Sequence, residues 1–159
     1  RTAGDDRREL VRDLLATWAD GRVKLYLIHR ALELRRADPD LFTAGGYRPL
    51  PAAGARAEHA LAFARLAAPD IAARVAPVIA VAPRLTARLA GLGGPAPVGP
   101  DAWGDTWLPL DEPALAVRYR DVLTGAVLEP ERRGEQMGLA LARVLSEFPV
   151  ALLHRADGA

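Results

Sequence analysis

A change of rhythm at Phe42 constrains this chain more than any other feature. Up to that point apolar residues recur every three or four positions, whereas beyond it Gly45-Gly46, Pro49, Pro51 and Gly54 interrupt any helix and short apolar runs take over. Helices followed by strands make an α+β chain. The break predicts a helical segment over 1–44 and a β-rich domain over 45–159.

Leu10, Val11, Leu14, Leu15 and Trp18 form a stripe that predicts a first helix over 5–19, with Asp5 or Asp6 available to cap it. Asp20-Gly21 then turns into a second amphipathic helix that ends near Phe42. Leu25, Ile28 and Leu32, with Leu27, Ala31 and Leu34 beside them, make its apolar face, while Lys24, Arg30, Glu33 and Arg36 mostly take the other side. Asp20 sets a carboxylate near the positive end of the helix, Arg35 and Arg36 lie by the negative end, and Pro39 bars continuation. Two helices alone make a thin core. Their apolar faces need a partner surface, either the following domain or another part of a longer chain.

Tyr47 to Leu50 and His59 to Leu66 predict two strands, the second alternating large residues with alanine. Val75 to Ala82 is a buried-strand candidate, complicated by Pro77 within it and Pro83 after it, and Arg84 to Leu89 either continues it or opens a loop. Gly91 to Asp105 reads as a flexible connection. Further strands are expected at Thr106 to Leu110 and Ala116 to Leu123, the latter turning at Thr124-Gly125 into Ala126 to Leu128 as a hairpin. Glu129 to Gly138 reads as a solvated loop. Gly138 to Leu145 and Phe148 to His154 complete the strands, although Leu139 to Leu145 also tolerates a helical reading. Short strands divided by Gly and Pro predict an antiparallel, sandwich-like domain after the helical pair.

With 159 residues, half of them hydrophobic, the chain is long enough to bury about 70% of its unfolded surface. A net charge of +1, with acids and bases interspersed, does not suggest a nucleic-acid-binding protein. No apolar run is long enough to span a membrane, and RTAGDDRREL has no signal-peptide core. Cysteine is absent, which removes disulfides and thiolate chemistry and suits a cytoplasmic protein. A start at Arg1, directly beside a charged helix, suggests a piece of a longer polypeptide.

His29, His59 and His154 show no metal-ligand spacing, so neither a metal nor a cofactor is expected. GLGGPAPVGP lacks the Lys and Ser/Thr of a phosphate loop. The acids offer no persuasive catalytic pair for cleaving a sugar bond. Asp101, Asp105, Asp111 and Glu112 nevertheless cluster around Trp103 and Trp107, and rings beside carboxylates are the chemistry of sugar-binding surfaces; the plainer alternative is that the two indoles anchor a long loop. Arg22 and Lys24 sit at the first turn of the second helix, where cations oppose the dipole. That placement calls for neighbouring acids or for a ligand.

Four blocks in order resemble the C-terminal region of the malto-oligosyltrehalose synthases, members of the α-amylase superfamily. They are Asp20-Gly21-Arg22-Val23-Lys24-Leu25-Tyr26, Leu34-Arg35-Arg36, Pro39-Asp40-Leu41-Phe42 and Gly46-Tyr47-Arg48-Pro49-Leu50. Trp103-Gly104-Asp105-Thr106, Tyr119-Arg120-Asp121-Val122-Leu123-Thr124-Gly125 and Phe148-Pro149-Val150-Ala151-Leu152-Leu153 extend the resemblance over nearly the whole chain. The segment Leu66 to Val75 departs from it.

The resemblance implies a (β/α)8 barrel upstream, carrying an aspartate nucleophile and a glutamic acid. That enzyme would turn the reducing-end α-1,4 bond of a malto-oligosaccharide into an α,α-1,1 bond in trehalose biosynthesis, a glucosylmutase (isomerase) reaction with retention. Neither carboxylate belongs to this chain, so no catalytic residue is carried over. What remains is an accessory terminal portion, inactive alone, packed on the barrel, with Arg22 and Lys24 nearest the substrate. A stand-alone carbohydrate-binding module using Trp103 and Trp107, or the tail of another α-amylase relative, are the alternatives.

Overall fold

The computed structural model describes residues 3–69, 72 and 75–156. Helix α1 (Ala3–Ala16) is followed by a single 3₁₀ turn at Trp18–Asp20 and by α2 (Arg22–Ala37), with Gly21 supplying the left-handed link at φ 83°. Asp6 therefore lies inside the first helix rather than at its cap, and the Asp5 side chain is outside the described residues. Gly21 is the N-cap residue of α2, and Asp20 just ahead of it accepts the Arg22 backbone N–H on Oδ1 at 2.9 Å. Pro39 ends α2 as expected and opens the short α3 (Pro39–Thr43).

Among the described residues nine short strands follow, separated by short helices. In chain order they are β1 (Gly46–Pro49), β2 (Ala60–Leu66), β3 (Val78–Pro83), α4 (Thr86–Ala90), α5 (Gly99–Trp103), β4 (Trp107–Pro109), β5 (Tyr119–Asp121), β6 (Val127–Leu128), β7 (Glu131–Arg133), β8 (Gln136–Ala140), α6 (Leu141–Val144) and β9 (Ala151–Arg155). Two sheets result, in the orders β1-β2-β3-β9-β5-β6 and β4-β8-β7, with every pairing antiparallel. Both contribute to one core: Ala62, Ala64, Ile79, Val81, Tyr119, Ala151 and Leu153 from the larger meet Leu108 and Leu139 from the smaller, with Trp103 among them. This is the expected α+β chain with a sandwich-like second part.

Alternation along the strands fixes what faces the helices. Ile79 and Leu153 are paired and point into the sandwich, as do Val81 and Ala151; their neighbours Val78 with His154 and Ala80 with Leu152 therefore turn to the opposite face. There α1 and α2 lie. Val11 packs with Leu123 and Phe148, joined by Val23, Tyr26, Leu27 and Leu152, and Leu34 packs with Leu41 and Val78. On β2 it is the alanines that enter the sandwich, because Trp103, Leu108 and Tyr119 fill that space from other elements.

Several local expectations fail for identifiable reasons. Glu129 to Gly138 is not a loop: β7 and β8 form a hairpin with Arg132 opposite Met137, turning at Gly134 with φ 62°. Its charged side chains face water, so backbone pairing leaves no apolar signature. Gly138 to Leu145 is half strand and half helix, and within Ala116 to Leu123 only Tyr119–Asp121 pairs. Arg84 to Leu89 begins a helix after Leu85, which takes the left-handed conformation at φ 53°. The Gly91 to Asp105 connection ends in α5. In the departing segment Leu66 to Val75, residues 70, 71, 73 and 74 lie outside the described residues.

Candidate functional site

Helix α2 is apolar on two opposite sides. At about 100° per residue, Val23, Tyr26, Leu27, Arg30 and Leu34 share one side, and that side lies on the sheet. Leu25, Ile28 and Leu32 share the other and remain 68%, 55% and 54% exposed. The stripe expected to face the core is thus the outer one. Polar heads decide the choice: the Tyr26 hydroxyl donates to the Leu123 carbonyl at 2.5 Å, and Arg30 Nε and Nη2 donate to the Val122 carbonyl at 3.3 and 3.2 Å. A helix with apolar residues on both sides belongs between two bodies.

The turn that α2 grips is itself rigid. Asp121, 1% exposed, accepts the backbone N–H groups of Leu123, Thr124 and Leu152 and the Thr124 hydroxyl, at 3.1, 3.2, 3.1 and 2.6 Å. Burial pushes its carboxyl up, and the Thr124 hydroxyl and the three N–H groups only partly offset that.

Near the end of α1 there is a separate apolar cavity of about 830 Å³. Leu15, Trp18, Val23 and Leu92 are among its lining residues, with Trp18 66% exposed and Leu92, on the Gly-rich connection, 94% exposed. Together with the outer stripe of α2 this is more apolar surface than single scattered residues explain.

The four residues expected to bind substrate are dispersed. Arg22 is held by acids: Nε donates to Asp20 at 2.7 Å, Nη2 to the Thr17 hydroxyl at 2.7 Å, and Nη1 lies 3.5 Å from Asp13. The Arg22 N–H and guanidinium hold the Asp20 carboxyl below its usual range. Lys24, two residues along, is exposed. Trp103 is fully buried, its indole N–H donating to the Pro97 carbonyl at 2.9 Å, so it anchors the long connection and offers no ring face to a sugar. Trp107 is 8% exposed, covered by the Arg133 guanidinium 4.9 Å from its ring, with Gly138 against it because a Cβ there would overlap the indole. A sugar-stacking pair of Trp103 and Trp107 is therefore not formed. Asp105 accepts the Ala55 N–H and Asp111 accepts from Gln136, roles that fasten loops.

Trp18 was visible in the sequence only as the end of a helical stripe. Tyr26, Arg30 and Asp121 each carry an interaction between distant segments, which local periodicity does not report.

No protein-family model matches the chain. Two Mycobacterium tuberculosis sequences, from strains CDC 1551 and H37Rv, carry the name maltooligosyl trehalose synthase and are 35% identical to it over 132 residues, 83% of its length. The chain belongs to the maltooligosyl trehalose synthase family. A maltooligosyltrehalose synthase from Arthrobacter ramosus, solved as a mutant, superposes on 92% of the chain with a TM-score of 0.58 and 31% identity. The family's proteins are much longer: the chain spans 14% of the mycobacterial synthases and 17% of the solved one. Among the described residues no helix is long and apolar enough to cross a membrane.

Proposed function

We propose that the chain is the C-terminal portion of a maltooligosyl trehalose synthase and acts as a structural body docked on the catalytic part of the same polypeptide. The single observation that carries this reading is the two-sided α2, with Leu25, Ile28 and Leu32 facing out while Tyr26 and Arg30 fasten the other side to the sheet. Residues 1–44 then form the layer between the barrel and the β-rich domain of 45–159, and Trp18 and the cavity beside it extend the contact. The whole enzyme is an isomerase of the cytoplasm that rearranges the reducing end of malto-oligosaccharides into a trehalosyl end. Its nucleophile and acid lie in the barrel, and the chain alone is inactive. Of the two cations expected at the substrate cleft, Lys24 is the freer to reach it, since Arg22 is engaged by Asp20, Thr17 and Asp13. Burial of Trp103 and Trp107 weighs against a stand-alone carbohydrate-binding module.

Co-expression of this chain with the remainder of its synthase as two polypeptides tests the proposal. Co-purification is expected, together with its loss in a Leu25→Gln, Ile28→Gln, Leu32→Gln triple variant whose own melting temperature is unchanged. Undiminished association of the triple variant would refute the docking face.

A further inference from the structure

On the helix-facing side of the large sheet, Arg7, Arg30, Arg120, His154 and Arg155 line a cleft of about 150 Å³. Two of these guanidiniums converge on one neutral acceptor: Arg7 Nη1 lies 3.5 Å, and Arg30 Nη2 3.2 Å, from the Val122 carbonyl oxygen. A carbonyl dipole offers a fraction of the charge that a carboxylate would. Glu33 pairs with Arg30 and Asp38 sits 3.4 Å from His154, but Arg120 reaches only the Gly125 carbonyl, and among the described residues no carboxylate pairs with Arg120 or Arg155.

The strand register sharpens the imbalance. Arg120 is directly opposite His154 across β5 and β9, so both lie on the helix-facing side, whereas the next pair, Arg155 with Tyr119, turns toward the sandwich. Planar guanidinium forks match the paired oxygens of a phosphate, and their weak hydration favours such contact. A cavity of this size takes one tetrahedral oxyanion and not a sugar chain, because sites for larger ligands run to several hundred Å³.

We propose that this cleft is a binding site for a phosphate-class dianion, with Arg120 as its principal donor and Arg7 and Arg30 as its floor. The anion is either free or the end of a small monoester. The site is separate from any glucan cleft and does not depend on the docking reading. Because it is built from α1, α2, β5 and β9, occupancy ties the helical layer to the sheet by a further set of charge-assisted bonds.

Titration of inorganic phosphate into the chain at constant ionic strength, followed by backbone amide shifts, is the test. Saturable shifts at Arg120, Val122 and His154 are expected, with an affinity at least ten-fold weaker in Arg120→Gln and in Arg7→Gln, the melting temperature verifying the fold of each. Glycerol phosphate binding as well as phosphate assigns a monoester end, whereas phosphate alone binding assigns the free ion; either supports the site. Non-saturating shifts equal to those given by chloride, or unchanged affinity in both variants, would overturn it.

Discussion

The Tyr26 hydroxyl and the Leu123 carbonyl are 97 residues apart in the chain and 2.5 Å apart in space, and their bond fastens α2 to the turn after β5. Burial pushes the Tyr26 phenol up, so it stays a donor throughout the neutral range. Tyr26→Phe keeps the ring and leaves the carbonyl without this partner. A loss of about 1–2 kcal/mol is expected in urea unfolding. An unchanged midpoint would mean that water replaces the phenol without cost.

The two sides of α2 differ in what they contribute to the chain alone. Leu34→Ala removes a buried side chain packed on Leu41 and Val78 and is expected to cost about 2–4 kcal/mol. Ile28→Ala, on the outer side, is expected to change stability by less than about 0.5 kcal/mol. Equal losses at the two positions would contradict the orientation of the helix.

Trp103→Ala empties the centre of the sandwich and frees the Pro97 carbonyl, for an expected loss of about 3–5 kcal/mol. Trp18→Ala should leave the melting temperature almost unmoved, since the ring is largely exposed. Calorimetry on both variants separates an anchoring indole from a surface one.

Asp121 makes stability depend on pH in a defined direction. Its folded-state carboxyl is raised above 3.8 by burial, so it holds a proton more tightly folded than unfolded. The stability this contributes is complete below the unfolded value and is lost as pH rises through the folded one. Relative to Asp121→Asn, the wild-type chain should become progressively less stable as pH is raised above about 4. Urea midpoints measured across that range check this; a difference between the two proteins that grows in the opposite sense would show that the four donors outweigh burial.

Much of the architecture was legible because it is written locally. Pro39 and Gly21 mark the ends of α2, branched residues mark β3, and Thr124-Gly125 marks the turn between β5 and β6. The β7 to β8 hairpin was not legible, since Glu131, Arg132 and Arg133 carry no apolar alternation. Nor was the side of α2 that meets the sheet: Leu25, Ile28 and Leu32 are as apolar as Val23, Leu27 and Leu34, and only partners far along the chain, Val122 and Leu123, distinguish the two. Burial of Trp103 and Trp107 was hidden for the same reason. Their acidic neighbours suggested a sugar surface, while Pro97, Arg133 and Gly138 enclose the rings.

The central position of β9 has a kinetic consequence. Among the described strands it is made last, yet it sits between β3 and β5 and joins Val78 to His154 across almost half the chain. During synthesis β3 therefore waits with an open edge, and the larger sheet closes only when the final residues of β9 have left the ribosome. Loop closure over such a span is slow. Loss of a few residues from β9 would leave two half-sheets with nothing to join them, a nascent-chain hazard that the compact folded form conceals.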